Sequence, residues 1–287
     1  MSTQPSLNIA YSPCPNDTFI FHAWAHGLVP GAPKLNVTYA DIDITNHLAA
    51  RLEGPEVMKI SYAALPWVLN DYRLLPCGGA LGRGCGPLVL TKNSLEGGAH
   101  INGATLSGKR IAVPSERSTA YLLFRLWVEQ QVPGGVGEVI VMPFHEIMPA
   151  VRDGKIDAGL VIHEARFTYP TYGLHMVADL GSWWESDTGL PIPLGAIIAR
   201  RTLDSEAISR WIRESVDYAW ANPDVSQSYI MDYAQELSPE VAKSHIDLYV
   251  NSFSRDLGEE GYSAVEALLG RAAAQGLVPS FDLSLLR

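Results

Sequence analysis

The sequence predicts an α/β protein built as two lobes, on three observations. Short β-branched runs alternate with segments whose apolar residues recur at helical spacing, the pattern of sheets covered by helices. At 287 residues the chain exceeds one small core and suits two lobes of roughly 100 to 200 residues each. Beyond Leu203 only helical patterns remain, a block that packs on a sheet already formed.

Strands are expected at 7–11, 35–43, 57–60, 88–91, 110–113, 138–141 and 158–162, and their alternation with helices implies parallel sheets. The intervening helices fall at 18–26, 62–69, 119–131 and 147–153, each after a polar cap candidate. Asn-Pro, Ser-Pro and Gly signals divide the C-terminal block into helices at 205–221, 224–234, 239–249 and 259–275. The Gly-rich stretch 78–86 and the segment 95–108 read as a crossing between lobes, with a boundary near residue 91. A second crossing falls at 181–195, where Trp183, Trp184, Pro191 and Pro193 cluster. Residues 1–91 with 191–287 are thus expected to form a larger discontinuous α/β domain carrying the C-terminal helices, and 92–190 a smaller inserted α/β domain. Two crossings make a hinge, and a ligand held between lobes gains burial when they close.

Apolar residues make up 47% and charged residues 18%, ordinary usage for a chain that folds throughout. The formal net charge of −10 repels phosphate backbones, and no run of Lys or Arg offsets it, so nucleic acid is not an expected partner. The first residues lack a basic stretch followed by a long apolar one, and no apolar run approaches the roughly 20 residues of a membrane span. A cytoplasmic protein with no membrane partner is the expectation. Cys14, Cys77 and Cys85 are an odd set without C-x-x-C spacing, so neither a disulfide framework nor a zinc knuckle is implied.

Several motifs fail on inspection. Gly103 to Arg110 nearly spells a phosphate-binding loop, but Arg110 stands where Ser or Thr is required and a strand follows instead of a helix. Gly82, Gly84 and Gly86 resemble half a dinucleotide fingerprint, yet they too run into a strand. His22 and His26 share one helix at i, i+4 but lack a third ligand, and they read as helix-surface histidines. No metal site is expected. No G-x-S-x-G elbow supports a serine nucleophile.

Four segments survive because each lies just past the C-terminal end of an expected parallel strand, where open α/β sheets bind ligands. In Ser12-Pro-Cys-Pro-Asn-Asp-Thr18 two prolines stiffen the loop, and Asn16 or Asp17 is placed to cap the helix. In Lys59-Ile60-Ser61, Ser61 could cap the next helix while backbone N–H groups face an anion and Lys59 adds a point charge. Ser115, Ser118 and Thr119 open a helix after a strand, and such a start holds a carboxylate or serves as a plain cap. The run Gly159 to Arg166 ends an apolar strand with His163, Glu164 and Arg166, and an imidazole there can titrate near neutral pH. His145 looks similar in sequence but begins a helix.

With these segments assembled, the chain resembles the 1,4-dihydroxy-6-naphthoate synthases, menaquinone-pathway enzymes acting on cyclic dehypoxanthine futalosine. The likeness runs nearly end to end. It is carried by residues 12–21, 59–63, 78–84 with 86–88, 162–169 and 190–195. The resemblance implies a type 2 periplasmic-binding-protein-like fold, two lobes with a ligand cleft between them, used inside the cell. It implies His163 as catalytic base and substrate contacts from Lys59, Ile60 and Ser61 and from Thr119 and Ala120. The implied chemistry is that of a lyase without a redox cofactor, cleaving a small anionic substrate to the naphthoate and a three-carbon fragment. A homodimer stays open as an assembly state. Two other readings remain: chorismate dehydratase of the same pathway, and a non-catalytic solute-binding protein.

Overall fold

A computed structural model describes residues 6–92, 102–234 and 238–287. In chain order the regular elements are β1 (Ser6–Tyr11), α1 (Pro15–Ala25), β2 (Lys34–Tyr39), α2 (Ile42–Arg51), β3 (Val57–Ser61), β4 (Tyr72–Leu74) and β5 (Ala80–Gly82). There follow β6 (Leu88–Thr91), β7 (Ile111–Val113), α3 (Thr119–Gln131), β8 (Val139–Val141), α4 (Phe144–Arg152), β9 (Ala158–Val161), α5 (Ala165–Thr168), β10 (His175–Asp179) and α6 (Leu180–Thr188). The chain ends with β11 (Ile192–Arg200), α7 (Ser205–Ala221), α8 (Gln227–Tyr233), α9 (Pro239–Tyr249), α10 (Ser252–Arg255) and α11 (Gly258–Ala274).

These elements form two compact units, Met1–Gly82 with Pro193–Arg287, and Arg83–Ile192. The first division falls earlier than residue 91 because β6 hydrogen-bonds to β9 and β10 and so belongs to the second sheet. Residues 103–108, expected in the crossing, lie within the second unit as a short 3-10 turn and its exit. The expected crossing residues 95–101 lie outside the described residues.

The first unit carries a six-stranded sheet in the order β2-β1-β3-β11-β4, with β5 pairing β11. The second carries a five-stranded sheet in the order β10-β6-β9-β7-β8. Neither is purely parallel, contrary to expectation. Strands joined through a crossover helix do run parallel, as with β1 and β2 through α1 or β7 and β8 through α3. β11 is antiparallel to β3 and β4, and β6 is antiparallel to β9 and β10. Antiparallel neighbours need no helical crossover, and β11 and β6 have none leading to the strands they flank.

The first core packs Ile9, Phe21, Trp24 and Ile197 against Ile212 and Val216 of α7, so the C-terminal helices complete this unit. The second packs Leu88, Leu90, Ala112 and Val161 against Ile147 and Val151 of α4. Expected elements changed character in three places. The strand expected at 35–43 ends at Tyr39, and Ile42 and Asp43 instead open α2, behind Asp41 at the N-cap position. The segment 62–69 is a 3-10 helix over Tyr62–Trp67 with Pro66 inside it, where proline denies an α-helical bond. The second crossing contains α6 and the start of the long strand β11.

Candidate active site

In the first unit β1 and β3 run side by side in parallel, pairing Ile9 with Val57 and Ala10 with Met58. Both expected segments therefore emerge at one sheet edge. Pro15 occupies the first turn of α1, where its missing N–H costs nothing, and Cys14 takes the N-cap position without capping the helix through its side chain. Asn16 and Asp17 are not caps: they lie inside the first turn and are buried.

Asp17 forms an ion pair with Lys59, whose side chain is 6% exposed against 1% for Asp17. The amide of Asn16 donates to Asp17 Oδ1 at 2.9 Å, and His245 Nε2 lies 3.0 Å from Asn16 Oδ1. Since Asn16 Oδ1 can only accept, His245 carries its proton on Nε2. In this buried chain the charge of Lys59 is matched by a carboxylate. The first turn of α1 further favours that carboxylate through the helix dipole.

Lys59 and Ser61 share one face of β3, whereas Ile60 points to the other and is fully buried in the sheet. Ser61 does not cap the following turn with its side chain. Its backbone N–H donates to Asn46 Oδ1 at 2.8 Å, and Asn46 Nδ2 donates to Ser61 Oγ at 3.0 Å. A backbone N–H has no acceptor role, so the amide orientation follows, and with it the role of Ser61 Oγ as acceptor from Asn46. The hydroxyl hydrogen of Ser61 is left to donate elsewhere. Asn46 was not among the sequence candidates, because the strand expected at 35–43 stopped short of it and residues 44–51 were assigned no element, although Asp41 at a capping position was a usable signal.

On α1, His22 is buried, and its ring centroid lies 4.4 Å from that of His26. Burial first and His26 second lower its pKa to about 4. His22 is a core residue and not the surface histidine expected. Among the described residues no group of three or more His, Cys, Asp or Glu converges as a metal site.

In the second unit β7 and β9 are parallel neighbours, pairing Ile111 with Ala158 and Ala112 with Gly159. The start of α3 and His163 therefore follow the same ends of adjacent strands. Ser118 is the N-cap of α3, accepting from Tyr121 N–H at 3.1 Å and donating to Ser115 O at 3.0 Å. Both functions of that hydroxyl are spent locally. Thr119 and Ala120 form the first turn and are 2% and 4% exposed.

His163 stands two residues past β9 with φ of +54°, one of two non-glycine residues at positive φ among the described residues. The other, Leu52, closes α2 as a left-handed C-cap. Such a conformation costs a residue bearing Cβ on the order of 1 kcal/mol, and it concentrates where function over-determines the backbone. The imidazole is half-buried and meets Phe144 of α4 edge-on, centroids 5.5 Å apart. Arg166 is committed elsewhere, to Gly86 O at 2.9 Å and Asp179 Oδ2 at 2.6 Å. His145 lies in the first turn of α4, as expected, and its side chain is exposed.

Two α/β units, each with its polar residues past the ends of parallel strands, define a protein of the periplasmic-binding-protein fold. The periplasmic aliphatic sulphonate binding protein SsuA from Escherichia coli superposes with a TM-score of 0.69 at 13% identity, covering 99% of this chain and 92% of that one. The family described as menaquinone biosynthesis matches residues 7–274. A 1,4-dihydroxy-6-naphthoate synthase of Streptomyces coelicolor is 65% identical over 278 residues, 96% of this chain and 95% of that protein. Its namesake in Thermus thermophilus is 46% identical over 276 residues, 95% and 96% of the two chains. The chain belongs to the menaquinone biosynthesis family.

Proposed function

We propose that this chain is a carbon–carbon lyase of menaquinone biosynthesis that converts cyclic dehypoxanthine futalosine to 1,4-dihydroxy-6-naphthoate, with His163 as its general base. The reaction is supported by the two near-full-length relatives of that name. The role of His163 rests on one observation: an imidazole held at φ +54° past the end of β9, beside the strand that leads to α3. Strain kept at a titratable side chain past a strand end, where open α/β sheets bind ligands, supports this role.

In this reading His163 takes a proton from carbon next to a carbonyl, and negative charge develops on that oxygen. Within the second unit, Thr119 at the start of α3 is the proposed donor to the carboxylate or developing oxyanion; within the first, Ser61, left as a donor by Asn46, is a proposed substrate contact. Lys59 acts as a fixed charge balanced by Asp17, and Ile60 and Ala120 contribute main chain. The step is heterolytic and is assigned no metal or redox cofactor. The reading includes a cytoplasmic location, and among the described residues no helix is long and apolar enough to cross a membrane.

The test is incubation of purified protein with cyclic dehypoxanthine futalosine, with chorismate in parallel, and detection of 1,4-dihydroxy-6-naphthoate by mass spectrometry. Wild type should form the naphthoate, and His163→Asn should lose roughly 10²–10⁴-fold in rate, the usual worth of a general base. Product at equal rates from both proteins removes His163 from the mechanism. No product from wild type overturns the lyase assignment, and turnover of chorismate would replace it.

A further inference from the structure

We propose that Arg166 and Asp179 are positioning residues for His163, clamping the turn that holds its backbone in the left-handed conformation. The proposal rests on the reading of His163 as the base. A non-glycine residue at φ +54° relaxes unless its surroundings forbid it. The element that follows cannot do so alone, because α5 is a single turn of four residues, below the length at which a helix sustains itself.

The restraint comes through the second residue of α5. Arg166 returns its backbone N–H to His163 O at 3.4 Å, closing the turn that contains the strained residue. Its guanidinium then reaches out of the turn in two directions. One nitrogen donates to Gly86 O at 2.9 Å, just ahead of β6, and another to Asp179 Oδ2 at 2.6 Å, at the end of β10. The planar fork of arginine fixes both angle and distance, which a lysine cannot do.

Both anchors are themselves immobilised. Asp179 divides its carboxylate: Oδ2 takes Arg166, while Oδ1 accepts from Gly181 N–H at 2.9 Å and Ser182 N–H at 3.2 Å and so caps α6. Gly86 lies against Gly181 so closely that a Cβ there would fall 2.1 Å from Gly181 N. Three segments of the second unit thus meet at one guanidinium, and the turn carrying His163 is pinned to two of them. The pair is largely shielded, with side chains 20% and 12% exposed, so the contact is stronger than a surface ion pair. Two of the three ionisable groups that the sequence clusters here therefore divide the work: His163 reacts and Arg166 holds it in place.

The experiment compares Arg166→Met, Arg166→Lys and Asp179→Asn with wild type in steady-state turnover, and records the imidazole resonances of His163 by NMR. Expected is a fall in kcat of about 10²-fold for Arg166→Met, as for a catalytic group displaced by about 1 Å, with KM changed less than about threefold. The His163 resonance should shift or split in each variant. Combined with His163→Asn, Arg166→Met should cost no further activity, because it acts through the residue already lost. Wild-type kcat in Arg166→Met and Asp179→Asn, an unmoved His163 resonance, or a full additional loss in the double variant overturns the proposal. Should Arg166→Met fail to fold, Arg166→Lys and Asp179→Asn decide by the same readings. Absence of product from wild type would refute the lyase reading alone, and the NMR comparison would still judge the clamp.

Discussion

Asp17 and Lys59 show what a single residue pair can cost and contribute. An ammonium and a carboxylate withdrawn from water each lose several kcal/mol of hydration, and their mutual attraction recovers that loss only while both are present. Asp17→Ala should therefore destabilise the protein by about 3–5 kcal/mol, read from urea unfolding, because Lys59 stays behind buried and unmatched. Asp17→Ala with Lys59→Met should recover most of the loss. A single variant within about 1 kcal/mol of wild type would show that Lys59 is hydrated in solution. Each of these residues was visible in the sequence as a candidate, but Lys59 was read as facing an anion and Asp17 as a cap. Forty-two positions separate them, and no periodicity links an α1 residue to a β3 residue. The same holds for His245 and Asn16, 229 positions apart. His163 was legible because its signal is local: an apolar strand ending in ionisable residues. Its positive φ and its anchor through Asp179 were not, since both arise from tertiary packing.

At the scale of elements, the packing of α4 on β9 is what sets the floor beneath His163. Gly159 permits that approach: a Cβ added there would lie 2.4 Å from Cγ2 of Ile147 and 3.1 Å from Cγ2 of Val151. Both neighbours are β-branched and fully packed, so neither rotates away cheaply. Gly159→Ala should cost about 1–3 kcal/mol by pushing α4 off the sheet, measured as a lowered urea midpoint with unchanged m. A neutral or stabilising result would mean that α4 yields without strain. Elements with strong local periodicity, such as α3, α7, α9 and α11, were readable to within a few residues. Those decided by neighbours were not. β11 begins inside the crossing expected at 181–195, and it is a strand because β3 and β4 flank it on either side. The strand direction of β6 and β11 likewise depends on pairing partners far away in sequence, which composition cannot encode.

On the scale of the whole molecule, each of the two units contains one fully packed thiol, Cys77 in the first and Cys85 in the second, each 1% exposed. Burial is the main cause that pushes both thiols up, each to about 12, against opposing help from Arg213 at Cys77 and Arg166 at Cys85. Alkylation requires the thiolate, and at pH 8 a thiol titrating near 12 is ionised in only about one molecule in ten thousand. Access and ionisation thus act in the same direction, and reaction at either site must await an opening of the unit that holds it. Cys14 differs: it is only partly buried, at the N-cap position of α1. Iodoacetamide at pH 8 should therefore add one group to the native protein, at Cys14, and three after unfolding, counted by intact mass and located by peptide mapping. Labelling at Cys77 alone under native conditions would show that the first unit opens on the timescale of the reaction, and at Cys85 alone that the second does. Because the two thiols are buried in separate units, their labelling rates in increasing urea report on the opening of each unit. Binding of the naphthoate product should slow a rate only in a unit that contacts it.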